Sequence, residues 1–146
     1  MLNLKIKKLD PSAILPSYAT EGSVAFDISS LEEIVILPGQ TVKVRTGLAF
    51  EVPEGYEMEI RPRSGLSLNS KIRLSNSPGT IDSDYRGEVH FILDNLMTKF
   101  PNPYTVIKGQ RLGQGILRKV DRVEFVEVEE LSETQRGEKG FGSSGS

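Results

Sequence analysis

The stretch that decides the fold is Tyr56-Glu57-Met58-Glu59-Ile60-Arg61, in which apolar and charged residues alternate strictly. Alternation with a period of two puts every second side chain on one face, as in a half-buried β-strand. The same pattern recurs in residues 4–9, 42–46, 89–93 and 123–128. Gly and Pro turns bound these runs, and no window keeps a helical period for three turns. The sequence therefore predicts an all-β fold, a sandwich or barrel of short strands.

One short segment departs from this pattern. Residues 64–70 can form one or two helical turns, and Ser64 is the residue expected to cap them. A chain of 146 residues is long enough to bury one core without disulfides or metals. No internal repeat or linker divides its first part, so we predict one β domain over residues 1–135. A flexible Gly/Ser-rich tail is expected over residues 136–146.

The composition excludes several classes of function. The formal net charge is −2, which argues against a nucleic-acid or anionic-membrane surface as the main partner. The chain has no cysteine, so thiol catalysis, cysteine zinc sites and disulfides are excluded. Its single histidine, His90, excludes multi-histidine metal sites. With no signal peptide and no run of about 20 apolar residues, a soluble cytoplasmic protein is expected.

Two glycine-rich segments carry side chains that suit a phosphate. Arg61-Pro62-Arg63-Ser64-Gly65-Leu66-Ser67 puts guanidinium, hydroxyl and backbone N–H groups on one turn, although a plain surface turn would look the same. In Gly109-Gln110-Arg111-Leu112-Gly113-Gln114-Gly115, Gln114 can donate to a phosphate or satisfy its own loop. Spacing alone leaves both alternatives open in each segment.

Residues 76–88 are the most informative part of the chain, and they suit a turn followed by a hairpin. Ile81 stands between polar residues and is expected to pack inward, which fixes the direction of Asp82. A carboxylate held in this way can take a proton from a nearby water. Tyr85 offers a flat face to a sugar or base, and Asn76 offers a donor and an acceptor for a base edge.

Asp27 and the tail also have two interpretations. Asp27 interrupts the apolar run Val24-Ala25-Phe26-Asp27-Ile28, where it suits a satisfied buried group as well as a functional role. Residues 137–146 contain four glycines and three serines, the composition of a frayed terminus. Arg136 and Phe141, however, put a cation and an aromatic ring on this tether, which suits a lid over an anionic ligand.

Five segments in this order resemble the five motifs of the trimeric dUTPase family, and the resemblance covers essentially the whole chain. The matching segments are residues 20–28, 61–68, 79–88, 109–114 and 136–145. The third contains the pattern Gly-x-Ile-Asp-x-Asp-Tyr-Arg-Gly-Glu. The resemblance implies a distorted, jelly-roll-like antiparallel β-barrel. It also implies hydrolysis of dUTP to dUMP and pyrophosphate, which limits uracil in DNA and supplies dUMP for dTMP synthesis.

The resemblance also implies roles for single residues. Asp82 would be the general base for in-line attack of water on the α-phosphorus. Tyr85 would exclude a ribose 2′-hydroxyl, and Asn76 would read uracil together with the backbone near His90. The remaining substrate-binding residues would be Arg63, Ser64, Gly65, Thr80, Ile81, Gln114, Arg136, Phe141, Gly142 and Ser143. Of these, Arg136 would meet the γ-phosphate and Phe141 would cover the uracil ring.

The family implies a homotrimer in which three subunits share each active site and the tail of one chain caps a site formed by the others. Mg²⁺ would be held by the triphosphate and waters, with Asp27 in its outer shell and no direct protein ligand. Two alternatives stay open. One is a dCTP deaminase of the same fold, including a bifunctional form, which differs around Tyr85-Arg86-Gly87. The other is a non-enzymatic dUTP-binding regulatory protein, against which the intact Asp82 argues.

Overall fold

The computed structural model describes residues 2–98, 102–138 and 140, and it is built almost entirely of short antiparallel strands. Period-two alternation and frequent turns favour strands over helices, and the one helix follows the strand that the alternation of residues 56–61 predicts. The elements in chain order are β1 Lys5–Lys8, β2 Ser17–Tyr18, β3 Phe26–Ser29, β4 Ile34–Ile36, β5 Thr41–Glu51, β6 Tyr56–Pro62, α1 Ser64–Asn69, β7 Ile72–Leu74, β8 Gly79–Ile81, β9 Glu88–Asn95, β10 Tyr104–Val106 and β11 Arg111–Lys119.

The strands form three antiparallel sheets around one hydrophobic core. Their orders are β1-β5-β9-β7, β10-β4 and β2-β3-β11-β6-β8. The core takes side chains from both larger sheets, among them Val44 and Phe91 from one and Ile28 and Met58 from the other, all of them fully buried. Within the described residues no ladder closes the sheets into a ring. The predicted all-β antiparallel class with one short helix is confirmed.

Strand β6 is the element that positions the site, and its alternation acts as predicted. Met58 and Ile60 are 0% and 3% exposed and face the core. Glu59 and Arg61 lie on the other face, where the Arg61 guanidinium contacts the Glu59 carboxylate at 2.6 Å. Strand β6 pairs with β11 on one side and with β8 on the other. Two chemically distinct segments therefore flank one strand.

Two local predictions are wrong. Residues 123–128 form no strand in the structure, and Val123 and Phe125 are 70% and 93% exposed. Alternation identifies a segment able to form a strand but does not supply the partner that its backbone needs. Ser64 does not cap α1, because Arg63 occupies the N-cap position in extended conformation, without a side-chain capping bond, and Ser64 is already helical.

Among the described residues, no helix is long and apolar enough to cross a membrane.

Candidate active site

The loop after β6 and the middle of β11 form one half of the candidate site, around a cavity of about 510 Å³ that we call the Arg63 cavity. Strand β6 ends at Pro62, so Arg63, Ser64 and Gly65 follow directly where the chain turns into α1. Gln114 lies opposite Arg61 in the β6–β11 ladder. The lining residues are Ala19, Ser23, Val24, Ala25, Asp27, Arg61, Arg63, Ser64, Gly65, Gln114 and Ile116. The structure thus brings together the predicted residues of the first, second and fourth motifs.

The Asp27 carboxylate is the electrostatic centre of the Arg63 cavity. Its Oδ1 accepts a bond of 2.9 Å from Nε of Arg63, and its Oδ2 accepts one of 2.9 Å from Nη1 of Arg111. The Asp27 side chain is only 12% exposed, so two cations compensate for its removal from water. Sequence reasoning treated Asp27 as either a satisfied polar group or a functional one. Its bonds make it a satisfied carboxylate, and they hold a side chain predicted to bind phosphate.

Gln114 makes the backbone contact that was one of its two predicted alternatives. Its Nε2 donates to the carbonyl of Pro62 at 3.0 Å, which ties β11 to the end of β6. The side chain still lines the Arg63 cavity. It therefore fixes the loop that carries Arg63 and presents its amide to the same space.

Strand β8 and the turn after it form the second half of the site. Ile81 pairs with Met58 and packs against the core, as predicted. Asp82 follows it with an exposed side chain, and the Tyr85 N–H donates to the Asp82 carbonyl at 3.2 Å, closing the turn. Thr80 is exposed in β8, opposite Glu59. The inward Ile81 thus directs the Asp82 carboxylate outward, to solvent.

Asp82 lines a second cavity, of about 820 Å³, which we call the Asp82 cavity. Its other lining residues are Glu51, Val52, Pro53, Glu54, Gly55, Tyr56, Glu57, Ser83, Asp84, Arg86, Val120 and Arg122. Lys5 donates to Glu51 at 2.6 Å, and this hydrogen bond and the charge of Lys5 lower the pKa of Glu51.

Tyr85 is held against the backbone of its own hairpin. Its hydroxyl donates to the carbonyl of Glu88 at 3.0 Å. A Cβ atom placed on Gly87 would lie 2.6 Å from Cζ of Tyr85, so only glycine leaves room for the ring. The ring is nevertheless 43% exposed. One face of Tyr85 therefore rests on Gly87 while the side chain stays open to a ligand.

Glu88 anchors the hairpin to the neighbouring strand. Its Oε1 accepts the Gly47 N–H at 2.8 Å, and both carboxylate oxygens lie 3.2 Å from Nε of Arg45. Nδ1 of His90 lies 2.9 Å from the Glu88 carbonyl, so the imidazole contacts its own strand. Sequence reasoning missed Gly87 and Glu88 as positioning residues. The signal was present, because both belong to the pattern that carries Asp82 and Tyr85.

Asn76 is exposed just before β8, and Gly79 leaves space for it. A Cβ on Gly79 would lie 3.3 Å from Nδ2 of Asn76 and 3.4 Å from Cβ of Ile60.

Arg136 lies at a turn in which the Gly137 N–H donates to the carbonyl of Thr134 at 3.1 Å and to Oγ1 of Thr134 at 3.0 Å. The predicted site residues Phe141, Gly142 and Ser143 lie outside the described residues.

The structure does not bring the two halves together within one chain. The Arg63 and Asp82 cavities share no lining residue. Ile81 pairs with Met58, so Asp82 lies level with Glu57, whereas Arg63 follows the far end of β6. Six residues of extended chain separate these two levels, a distance of about 20 Å. Among the described residues, no group of three or more His, Asp or Glu side chains could hold a metal ion.

Comparisons with known proteins show the family of this chain. The dUTPase family profile matches residues 11–145. The deoxyuridine 5'-triphosphate nucleotidohydrolase of Helicobacter pylori strain J99 is 46% identical over 144 residues, covering 99% of this chain and 97% of the relative. The protein of the same name from a Hydrogenobaculum species is 48% identical over 145 residues, with 99% of each chain covered. The structure of Staphylococcus bacteriophage 80alpha dUTPase with dUPNHPP has a TM-score of 0.92 at 27% identity and covers 100% of both chains. The chain therefore belongs to the dUTPase family.

Proposed function

We propose that this chain hydrolyses dUTP to dUMP and pyrophosphate by attack of water on the α-phosphorus, with Asp82 as the general base. The observation that carries the proposal is the turn after β8, where the packed Ile81 directs an exposed Asp82 carboxylate outward beside Tyr85. A carboxylate needs only to lie within hydrogen-bond reach of the water that it deprotonates. The membership of the dUTPase family supports the same reaction. Removing dUTP limits uracil in DNA, and the dUMP formed serves dTMP synthesis.

The Arg63 cavity is the proposed binding place of the triphosphate. Arg63, Ser64, Gly65 and Gln114 line it and offer a guanidinium, a hydroxyl, a backbone N–H and an amide. Phosphoryl transfer depends on positioning and on stabilising charge more than on a protein nucleophile. Donors that are already fixed around the phosphates supply this stabilisation without reorganising during the reaction.

The hairpin that carries Asp82 is the proposed reader of sugar and base. Tyr85 is fixed by Glu88 and Gly87, so its ring can pack against a deoxyribose and leave no room for a 2′-hydroxyl. Asn76 and the backbone near His90 would hydrogen-bond the uracil edge, with Thr80 and Ile81 beside them. Cytosine reverses part of the donor and acceptor pattern of uracil. A site built for one pattern leaves its polar groups unpaired with the other.

The donor set fits a Mg²⁺ ion that is held mainly by the substrate. Both oxygens of Asp27 already accept guanidinium bonds, and no metal-binding cluster is present among the described residues. Mg²⁺ prefers phosphate oxygens and waters with few protein ligands. When bound, it would neutralise charge on the phosphates, and Asp27 could reach it only through water.

The separation of the halves supports an active site shared between subunits. Reacting atoms must approach to about 3–3.5 Å, which one chain cannot provide when Asp82 and Arg63 lie about 20 Å apart along β6. A second copy that brings its Asp82 hairpin to the Arg63 cavity would complete the site. We propose that the chain forms the homotrimer that its family implies and that this trimer acts in the cytoplasm. Residues 1–135 would form its β domain, and residues 136–146 would reach a neighbouring site.

The exposed C-terminal segment is consistent with such an assembly. Val123, Phe125, Val126, Val128 and Leu131 are between 55% and 93% exposed. A segment that exposes this many large apolar side chains, here interspersed with glutamates, normally marks an interaction surface. Residues 123–131 would be covered by a second copy, and the tail that follows would then bring Arg136, Phe141, Gly142 and Ser143 to the substrate.

Mixing two inactive variants tests the shared site directly. Asp82→Asn and Arg63→Ala chains are each expected to be nearly inactive. If they are unfolded together in equal amounts and refolded, the two kinds of chain mix at random. About a quarter of the sites then combine an intact Asp82 from one chain with an intact Arg63 from its neighbour. Activity near a quarter of the wild-type value supports the shared site. No recovery in an oligomer that sedimentation shows to be mixed would contradict it.

The reaction itself is tested by measuring pyrophosphate release from dUTP, dCTP, dTTP and UTP with Mg²⁺, while ammonia is monitored in parallel. Rapid release from dUTP alone is the expected result. Ammonia from dCTP would overturn the proposal in favour of a deaminase. Binding of dUTP without any release would overturn it in favour of a regulatory protein.

A further inference from the structure

Arg111 makes a specific contact at the site, although no role has been assigned to it above. Its Nη1 donates to Oδ2 of Asp27 at 2.9 Å, and Oδ1 of the same carboxylate accepts from Arg63. Arg111 is 56% exposed, whereas Asp27 is 12% exposed. An exposed arginine therefore holds one oxygen of a nearly buried carboxylate whose other oxygen holds Arg63.

A β-bulge in β11 produces this arrangement. Arg111 pairs with Ser29 and Gly113 with Ile28, so the register shifts between Arg111 and Gly113. Leu112 and Gly113 are both buried, whereas Arg111 and Gln114 both lie on the face of Asp27. In a regular strand, residues three apart would point to opposite faces. Bulges often re-aim side chains beside active sites, and this one places Arg111 and Gln114 on the same side.

The contacts of Arg63 show what the Asp27–Arg111 pair achieves. Arg63 donates from Nε to Asp27 and from Nη1 to the Arg111 carbonyl at 3.3 Å. A guanidinium has five N–H groups in a rigid plane, so bonds to two of them fix the direction of the other three. Asp27 can fix Arg63 only if the carboxylate does not rotate. The bond from Arg111 opposes that rotation.

We propose that Asp27 and Arg111 form a positioning pair for Arg63 and hold its guanidinium in the orientation that receives the triphosphate. This inference rests on the proposed function of the Arg63 cavity. In the pair, Asp27 orients Arg63 directly, and Arg111 acts through Asp27 rather than on the substrate. Arg111 thus becomes a positioning residue for phosphate binding.

The chain offers a matched control on the same strand. Arg118, also in β11, is 54% exposed and lies 3.4 Å from the carboxylate of Glu59, which is 10% exposed. It lines neither the Arg63 cavity nor the Asp82 cavity. Arg118→Ala therefore removes a similar arginine from a similar ion pair, whose carboxylate contacts Arg61 instead of Arg63.

The experiment compares the full-length Arg111→Ala, Arg111→Lys and Arg118→Ala proteins. Arg111→Ala is expected to raise KM for dUTP about tenfold, with kcat changed by less than about threefold, because a charge-assisted bond that orients binding is lost. The Kd of inorganic tripolyphosphate, measured by calorimetry, should rise by a similar factor. Arg111→Lys keeps a cation beside Asp27 and should recover part of the affinity, while Arg118→Ala should stay within about twofold of wild type.

The double variant Asp27→Asn/Arg111→Ala separates positioning from direct contact. If Arg111 acts through Asp27, adding Arg111→Ala to Asp27→Asn changes the tripolyphosphate Kd by less than about twofold. If the two substitutions instead raise the tripolyphosphate Kd by factors that multiply, Arg111 contacts phosphate itself and the proposal is overturned. Should Arg111→Ala fail to fold, Arg111→Gln serves in both comparisons.

A spectroscopic measurement tests the pair even if the proposed function fails. The Nε–Hε signal of Arg63 should exchange slowly with water in the wild type and in Arg118→Ala, and quickly in Arg111→Ala. Unchanged exchange in Arg111→Ala would overturn the positioning role. A wild-type protein that shows the slow signal but releases no pyrophosphate from dUTP would refute the proposed reaction and not the positioning pair.

Discussion

The two halves of the site are built by different means. Around the Arg63 cavity, side chains hold one another: Asp27 joins two arginines, and Gln114 ties β11 to the end of β6. In the hairpin that carries Asp82, contacts with the backbone hold the side chains instead. Tyr85 bonds to a carbonyl and rests on a glycine, and Asp82 takes its direction from the neighbouring Ile81.

This difference indicates what each half contributes. The ion pairs of the Arg63 cavity are complete within one chain, so the proposed triphosphate site is already organised there. The Asp82 carboxylate is exposed, about 20 Å away along β6, and in the proposed assembly it would act on phosphates that another copy presents. Apart from the loss of Arg63 itself, variants of the first half should therefore change affinity in graded steps, whereas variants of the second half should abolish turnover or alter selectivity.

The largest expected effect comes from Asp82→Asn. This change removes the proposed general base and keeps the shape of the side chain, so turnover should fall about 10³-fold while dUTP binding is retained. Pyrophosphate release measures the first quantity and calorimetry the second. Glu54→Gln is the control, because Glu54 lines the same cavity as Asp82. Turnover of Asp82→Asn within tenfold of wild type would show that another group deprotonates the water.

Deleting residues 136–146 should have the next largest effect. The deletion removes Arg136, Phe141 and Ser143, so turnover should fall about 10²-fold through loss of a charge-stabilising donor and of site closure. Because the β domain ends before the tail, sedimentation should still show the assembled oligomer. Arg136→Ala alone should reproduce much of the loss. A truncated enzyme with normal turnover would refute the role of the tail.

The sequence was sufficient to predict some of the strands and the direction of one side chain next to Asp82. Alternation correctly identified β5, β6 and β9, and the inward position of Ile81 followed from its polar neighbours. These are local properties, fixed by period and turn chemistry. The same reasoning was wrong for residues 123–128, because a strand also needs a partner, and their chain supplies none within the described residues.

Long-range partners were the part that the sequence could not predict. Arg111 lies 84 residues from Asp27, and its contact depends on a bulge that no local pattern indicates. Glu88 likewise meets Gly47 across a register shift between β5 and β9. The separation of Asp82 from Arg63 follows from pairing between β6 and β8. Motif order along the chain is therefore a poor guide to which residues meet.

The smallest of these effects is expected for Gly87→Ala, and it tests whether the backbone really positions Tyr85. The added Cβ would overlap the Tyr85 ring, so the ring must move away from the place where it would block a 2′-hydroxyl. KM for dUTP should rise several-fold, and the ratio of kcat/KM for UTP to that for dUTP should rise about tenfold. Gly22→Ala is the control, because nothing lies within 4 Å of a Cβ at Gly22. If Gly87→Ala slowed dUTP and UTP equally, the hairpin would position Asp82 but not select the sugar, and the selectivity assigned to Tyr85 would have to come from elsewhere in the assembled site.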